Sequence, residues 1–438
     1  MRSRRTFLRL TGSAAGAALA TARYGIDEVA ALTQQAAAGG RTPAQVAADE
    51  DYWREIQFAF TLDRTIINLN NGNSSPAPTV VHEACKRYND WANQAPVHHR
   101  GMTERNVETT RRRLAAEFGA DPEEIAITRN SSESLQIAQN GLDLEPGDEV
   151  LTTEQDYGRM LTTWDQRVRR DKIKLTRIDF PVPTNGEDLF GRLARAIVPQ
   201  TKVMHFCHIT NQSGQLFPVK ELSELCRSRG IISIVDGAHA LGHFPFQLRD
   251  LGMDYYGVSL HKWLLAPMGT GMLYVRRERI ASTWPLQAAP ATRDTDIRKF
   301  EEIGTHAVGA KAAINEAIAF QQAIGLERKA ARLRYLTLRW ANELRKDPKM
   351  RIHSNLAEGQ TWGLAVVSID GVDTGRLVAH LWDKYRIVIT AIGHDNPDDP
   401  KMSYRALRVT PNIYTPLEEI DTFVAAMEDL LKNGVPAA

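Results

Sequence analysis

The run Ile231-Ile-Ser-Ile-Val235 is apolar and rich in β-branched residues, and Asp236-Gly237 closes it. A segment this short, ended by a turn pair, reads as an inner strand with Asp236 at its carboxyl end. In open α/β sheets that edge is where ligands bind. An ionised carboxylate with apolar residues behind it is costly unless a cation meets it. Met253-Asp-Tyr-Tyr-Gly-Val-Ser259 reads as the next strand and delivers Lys262 to the same edge. Partial desolvation near cationic groups lets a lysine there lose its proton and act as a nucleophile.

Asp236 and Lys262 are together the pair that pyridoxal phosphate chemistry needs, an anion for the ring nitrogen and an amine for the aldehyde. Taken singly, Asp236 is a strand-end turn residue and Lys262 a solvated lysine. The spacing carries the inference, with His239 and His261 interleaved and Gly269 and Gly271 after the lysine. Val235-Asp-Gly-Ala-His239, Ser259-Leu-His-Lys-Trp263 and Gly269-Thr-Gly271 resemble the class V aminotransferase family of fold-type I pyridoxal phosphate enzymes, and within it the isopenicillin N epimerase-like branch. The resemblance spans roughly residues 55 to 435. It implies an α/β fold, with a large domain built on a mostly parallel seven-stranded sheet and a smaller α+β domain. The expected division is a signal peptide and spacer over 1–40, an N-terminal arm over 41–75, a large cofactor-binding domain over 76–310 and a small domain over 311–438.

Ser3-Arg4-Arg5-Thr6-Phe7-Leu8 followed by a small-residue apolar stretch from Leu10 through Ala20 resembles a twin-arginine export signal. The stretch is too short to span a bilayer, so stable membrane insertion is not expected. Export of a folded protein by that machinery suits an enzyme loaded with its cofactor beforehand, and it places the chain outside the plasma membrane. Gln34 to Gly40 reads as a flexible spacer. The charge is +1, from 54 basic and 53 acidic side chains, and gives no support for a nucleic-acid partner. Cys85, Cys207 and Cys226 have neither metal-type nor CxxC spacing and read as buried thiols. The adjacent His98 and His99 make no metal set.

Further segments complete a cofactor site. Glu124-Ile-Ala-Ile-Thr128 reads as a strand, and Asn130-Ser131-Ser132-Glu133 opens a helix whose free N–H groups suit a phosphate. Asn130 and Glu133 also make a capping box without any ligand. Glu133 is expected to point away from a phosphate. Glu149-Val-Leu-Thr-Thr153 is another strand, and Tyr157 beyond its end matches the family's ring-stacking position, worth about 0.5–1.5 kcal/mol beyond burial. Lys202 to Thr210 reads as a strand followed by Asn211. The resemblance implies that Asn211 and His239 lie beside the cofactor ring and that Ser259 and His261 contact its phosphate. It also implies that Thr305, in Glu302-Ile-Gly-Thr305, reaches the phosphate of a neighbouring subunit, and hence a homodimer with shared sites.

The C-terminal part reads as strands over 362–369, 387–390 and 406–409 around a helix over 374–385. A final helix is expected to start at a capping box, Thr415-Pro-Leu-Glu418. Arg408 matches the family's substrate-carboxylate arginine, able to hold a carboxylate with two N–H groups. The turn Asn70-Asn-Gly-Asn73 matches a substrate-side loop, which makes Asn73 a candidate contact.

The expected function is therefore a Schiff-base enzyme acting on an amino acid or keto acid through Lys262, with Asp236 and His239 beside it. Transamination demands least, needing only the lysine and room for a keto acid. Epimerisation or racemisation needs a proton on the opposite face from a donor the sequence does not identify, and carbon–sulfur cleavage is a further alternative. Desulfuration by a late cysteine is disfavoured, since none follows Cys226. A non-catalytic exported binding protein on the same scaffold is the alternative from another class. The retention of Asp236, Lys262, Tyr157 and Arg408 together argues against it. A dinucleotide-binding dehydrogenase is disfavoured because no GxGxxG follows a strand.

Overall fold

The apolar run forms the strand Ile232–Asp236, hydrogen-bonded in parallel to Thr201–Cys207 on one side and Tyr255–Ser259 on the other. The computed structural model describes residues 25–434. The large sheet has the order Ile125–Thr128, Gly271–Val275, Tyr255–Ser259, Ile232–Asp236, Thr201–Cys207, Glu149–Thr153, Lys174–Ile178. Gly271–Val275 runs antiparallel to both neighbours, and the remaining pairs are parallel. Met204, Phe206, Val235, Tyr256 and Val258 are buried in one core cluster on this sheet. Each such side chain stabilises by about 1.5–3 kcal/mol on burial, so the strand ends are fixed points on which a site can be built. At Gly237 an added Cβ would fall 1.9 Å from the Tyr256 ring, so the chain can leave the strand here only as glycine.

A second, antiparallel sheet has the order Thr390–His394, Tyr404–Val409, Ala365–Ile369, Met350–Ile352. Leu336 and Trp340 of the helix Leu326–Leu344, and Phe423 and Met427 of the helix Leu417–Asn433, share its core. The short strand Ile67–Asn68 pairs in parallel with Ile387–Val388, which ties the N-terminal arm to this half.

Several expectations need correction. Residues 34–38, read as spacer, are the end of the helix Ile26–Ala38, whose Val29 and Ala36 are buried against a cluster with Trp53, Phe320 and Ile324. Its alanine- and glutamine-rich sequence hides a narrow apolar face that only a tertiary partner makes useful. Beyond residue 310, Ile314, Ala317 and Ile318 of the helix Ile314–Ile324 pack into the large core. After Gly325 the next helix, Leu326–Leu344, carries Leu336 and Trp340 to the core of the second sheet. The single strand read over 387–390 is two, since Ile387–Val388 joins the arm and Thr390–His394 the second sheet.

The capping box at Thr415 does not form. Thr415 Oγ1 accepts from Asn412 N–H (3.0 Å), and Leu417 N–H donates instead to Glu50 Oε2 (3.2 Å). A carboxylate from a distant helix has replaced the local cap. No helix among the described residues is long and apolar enough to cross a membrane. The twin-arginine segment lies outside the described residues.

Candidate active site

A cavity of about 300 Å³ opens beyond the carboxyl edge of the large sheet, a size that suits a cofactor with a small substrate. Asp236, Cys207 and Ile209 line it from the central strand ends, and Ala238 and His239 from the turn after Asp236. Ser259, His261 and Lys262 come from the next strand and its turn, and Asn130, Ser131 and Ser132 from a helix start. Tyr157, Arg159 and Asn211 line another wall. Arg408 of the second sheet, with Gly72 and Asn73 of the arm, completes the lining.

Asp236 is 4% exposed, and its Oδ1 accepts one hydrogen bond, from Ala238 N–H (2.9 Å). Burial pushes its carboxyl up to about 6, with the Ala238 N–H and the Lys262 charge pulling the other way. Burial likewise brings the Lys262 ammonium down to about 8, against the attraction of Asp236 and with repulsion from Arg408. Lys262 Nζ lies 3.1 Å from His239 Nε2. Burial and the positive charges of Lys262 and Arg408 hold the His239 imidazole well below its ordinary pKa, so the ring is neutral and accepts from the ammonium at Nε2. Its Nδ1 then bears the proton, and that atom is buried without a partner.

The helix Ser131–Gly141 starts with Asn130 Oδ1 accepting from Glu133 N–H (2.9 Å). The expected reciprocal half of the capping box is absent. Glu133 turns back to Arg129, taking its N–H (2.6 Å) and its guanidinium (2.8 Å), and so keeps its charge off the helix mouth. Ser131 N–H donates to Ser259 Oγ (2.9 Å), and Ser259 Oγ lies 2.9 Å from Ser131 Oγ. His261 Nδ1 lies 3.2 Å from Thr270 O and must donate to it, which leaves Nε2 as an acceptor while the ring is neutral. A phosphate at this corner would favour the imidazolium.

Arg408 is 7% exposed, donates to Asn211 O (3.1 Å) and Asn70 Oδ1 (3.0 Å), and keeps a buried Nε without a partner. Burial pulls its guanidinium down to about 10. It makes no ion pair with a carboxylate among the described residues. A buried cation with unused N–H capacity beside a cavity could hold a carboxylate. The bridge between Asn70 and Thr410 brings the arm to the end of the Arg408 strand.

These unpaired groups fit pyridoxal 5'-phosphate. Asp236 would meet a protonated ring nitrogen, Lys262 the aldehyde, and Tyr157 a ring face. Asn211, whose buried Oδ1 has no partner, and His239 would meet the ring substituents. Ser131, Ser132, Ser259 and His261 would hold the phosphate.

Thr305 is not brought to this cavity. It lies in a separate one of about 440 Å³ lined also by Arg100, Glu302 and Lys311, where Arg100 Nη1 donates to its Oγ1 over 3.4 Å. Arg159 and Cys207 line the site and Asn70 touches it through Arg408, and the sequence marks none of the three individually. Asn70 stood in the quoted turn, where nothing local separates it from Asn73. Cys207 ended a strand whose position was legible, and its Sγ donates to Asp156 Oδ1 (3.0 Å). Arg159 carried no signal of its own.

The class V aminotransferase family model matches residues 66–423. The chain is 29% identical over 400 residues to an isopenicillin N epimerase of Streptomyces clavuligerus, covering 86% of this chain and 98% of that one. It is 25% identical over 402 residues to a probable cysteine desulfurase of Pyrococcus abyssi (strain GE5 / Orsay), covering 86% and 98%. Among solved structures, the apo cysteine desulfurase of Thermococcus onnurineus NA1 superposes with a TM-score of 0.74 at 24% identity, covering 86% and 98%. The cystine C-S lyase C-DES, in complex with its product cysteine persulfide, does so with a TM-score of 0.74 at 23% identity, covering 84% and 98%.

Proposed function

Because the chain belongs to the class V aminotransferase family of pyridoxal 5'-phosphate enzymes, we propose that it works at the α-carbon of an amino acid, with Lys262 as the reactive amine and transamination as the outcome. The carrying observation is the set of groups in one cavity that form no ion pair among the described residues: Asp236, Lys262, whose ammonium burial brings down to about 8, and Arg408. Pyridoxal 5'-phosphate supplies an aldehyde for the amine and an electron sink for charge at the α-carbon. Lys262 as free base would be the nucleophile, and afterwards it would take the proton from the substrate's α-carbon and deliver it to the carbon that bore the cofactor's aldehyde, the transfer that transamination requires. His239 orients Nζ through its 3.1 Å contact, and Asp236 would hold the protonated ring nitrogen of the cofactor. Arg408 takes the substrate carboxylate on Nε and its terminal nitrogens, which orients the α-carbon toward Lys262.

Lys262 is the sole lysine lining the cavity among the described residues, and a single base is enough for transamination. Epimerisation is the second reading, supported by 29% identity to an isopenicillin N epimerase along nearly its whole length. Cleavage with sulfur transfer to a protein thiol is less supported. Cys207, the one cysteine in the lining among the described residues, is held as a thiol by burial and by the neighbouring Asp156 and Asp236. A homodimer that brings Thr305 to the neighbour's site, and export by the twin-arginine route, are parts of the same proposal. The placement of Thr305 outside its own chain's cavity supports the first.

Borohydride reduction should leave the pyridoxyl label on Lys262, and a label on any other residue sinks the proposal. Lys262→Ala should lower turnover by roughly 10²–10⁴-fold or more. Incubation with a panel of amino acids in deuterated water then assigns the outcome. Keto acid marks transamination, inverted deuterated amino acid epimerisation, and pyruvate with released thiol a lyase.

A further inference from the structure

The turn that carries Lys262 is gripped by two buried residues that the proposed chemistry does not use. His243 lies flat on Trp263, with ring centroids 3.7 Å apart and planes 8° from parallel. His243 Nδ1 is 2.7 Å from His239 O, which can only accept, so Nδ1 carries the proton. Gly363 N–H donates to Nε2 over 2.7 Å, so Nε2 carries none. The ring is therefore the neutral Nδ1–H tautomer with both nitrogens engaged, and an imidazolium would set Nε2–H against Gly363 N–H. Lys329 Nζ donates to Trp263 O and to Gln321 Oε1 (3.1 Å). Burial holds both groups toward neutrality, His243 at about 3 and Lys329 at about 7.

The partners come from both halves of the molecule. Lys329 sits on the helix Leu326–Leu344, and Gly363 leads into Ala365–Ile369, where Val366 pairs with Arg408. A Cβ at Gly363 would stand 2.9 Å from His243 Nε2 and 3.0 Å from Trp263 Cζ3, so only glycine allows this approach. Neither His243 nor Lys329 lines the cavity, and each can act only through its neighbours.

We propose that His243 and Lys329 are positioning residues, clamping the Trp263 turn between the large sheet and the C-terminal half and so setting Lys262 in register with Arg408. The clamp rests on the reading of Lys262 as the reactive amine. Its test uses the full-length protein without cofactor. The pH dependence of Lys262 acylation by acetic anhydride, followed by peptide mass spectrometry, should show a midpoint at about 8. His243→Asn and Lys329→Met should each raise that midpoint by about one pH unit, as water reaches a loosened turn. Each should also weaken pyridoxal 5'-phosphate binding about tenfold in an absorbance titration. Trp340→Phe, in the second core, is the control that lowers Tm and leaves the midpoint in place.

Folded variants with the wild-type midpoint, or with no more change than Trp340→Phe, overturn the clamp. If neither variant folds, nitrogen-15 histidine spectra of the wild type decide. A His243 ring neutral at Nδ1–H from about pH 5.5 to 9 upholds the clamp, and one that titrates there overturns it. Failure of the wild type to bind pyridoxal 5'-phosphate would remove the cofactor reading while the acylation midpoints still judge the clamp.

Discussion

Asp236 and Asp254 are buried carboxylates at opposite edges of the same central strands, 4% and 3% exposed. Asp254, at the amino edge, accepts from Ser233 N–H (2.9 Å) and Ser233 Oγ (3.1 Å), and pairs with Arg279 (3.0 Å) and Arg276 (3.2 Å). Asp236, at the carboxyl edge, has a single backbone N–H and an ammonium in the same cavity. One edge is neutralised from within the fold. The other leaves His239 Nδ1, Asn211 Oδ1 and Arg408 Nε buried without partners, which a folded chain tolerates where a ligand is to supply them.

The sharpest way to break this contrast is the same substitution at both edges. At Asp236 the folded carboxyl, at about 6, binds its proton more tightly than the unfolded chain does near 3.8. The contribution of Asp236 to the stability of the cofactor-free protein is therefore fullest below about pH 4 and is lost as pH rises through 6, by about 3 kcal/mol. Asp236→Asn should abolish this slope in denaturant titrations across pH while lowering turnover by roughly 10²–10³-fold. Asp254→Asn should do the reverse. It leaves two partly exposed guanidinium groups short of an anion, so stability should drop by about 2–3 kcal/mol with cofactor affinity unchanged. If both variants shift stability in the same direction, the two edges do not differ as argued.

Arg408→Gln probes the substrate side of the open edge. Loss of a charged hydrogen-bonding partner worth about 2 kcal/mol should raise the KM of an amino acid roughly 30-fold and leave the pyridoxyl label on Lys262 intact. The smallest effect is expected from Tyr157→Leu, where removing an aromatic face should weaken pyridoxal 5'-phosphate binding by about 0.5–1.5 kcal/mol in an absorbance titration. A larger loss than at Arg408 would mean that Tyr157 does more than stack.

The cofactor edge was legible because its groups sit in contiguous segments whose strand periodicity states which end they occupy. Ile231 to Asp236 and Met253 to Lys262 place an acid and an amine at one edge whatever else packs around them. Arg408 was legible as a strand-end arginine, and through resemblance. Asn70 was not, because its contact with Arg408 crosses from the arm to the second sheet. The cap of the last helix was misread for a similar reason, since Glu50 supplies the acceptor from another part of the chain. The helix Ile26–Ala38 escaped notice because its apolar face is too narrow to announce itself before Phe320 and Ile324 cover it.

By itself, then, the sequence determined the strand that ends in Asp236, the turn that bears Lys262 and the family to which both belong. These follow from local patterns of polarity and turn chemistry. Only the tertiary structure decided that the carboxyl edge keeps its charges unpaired, that Thr305 lies outside its own chain's cavity, and that His243 and Lys329 grip the Lys262 turn. Burial and pairing are relations between distant segments, and no single stretch of chain encodes them.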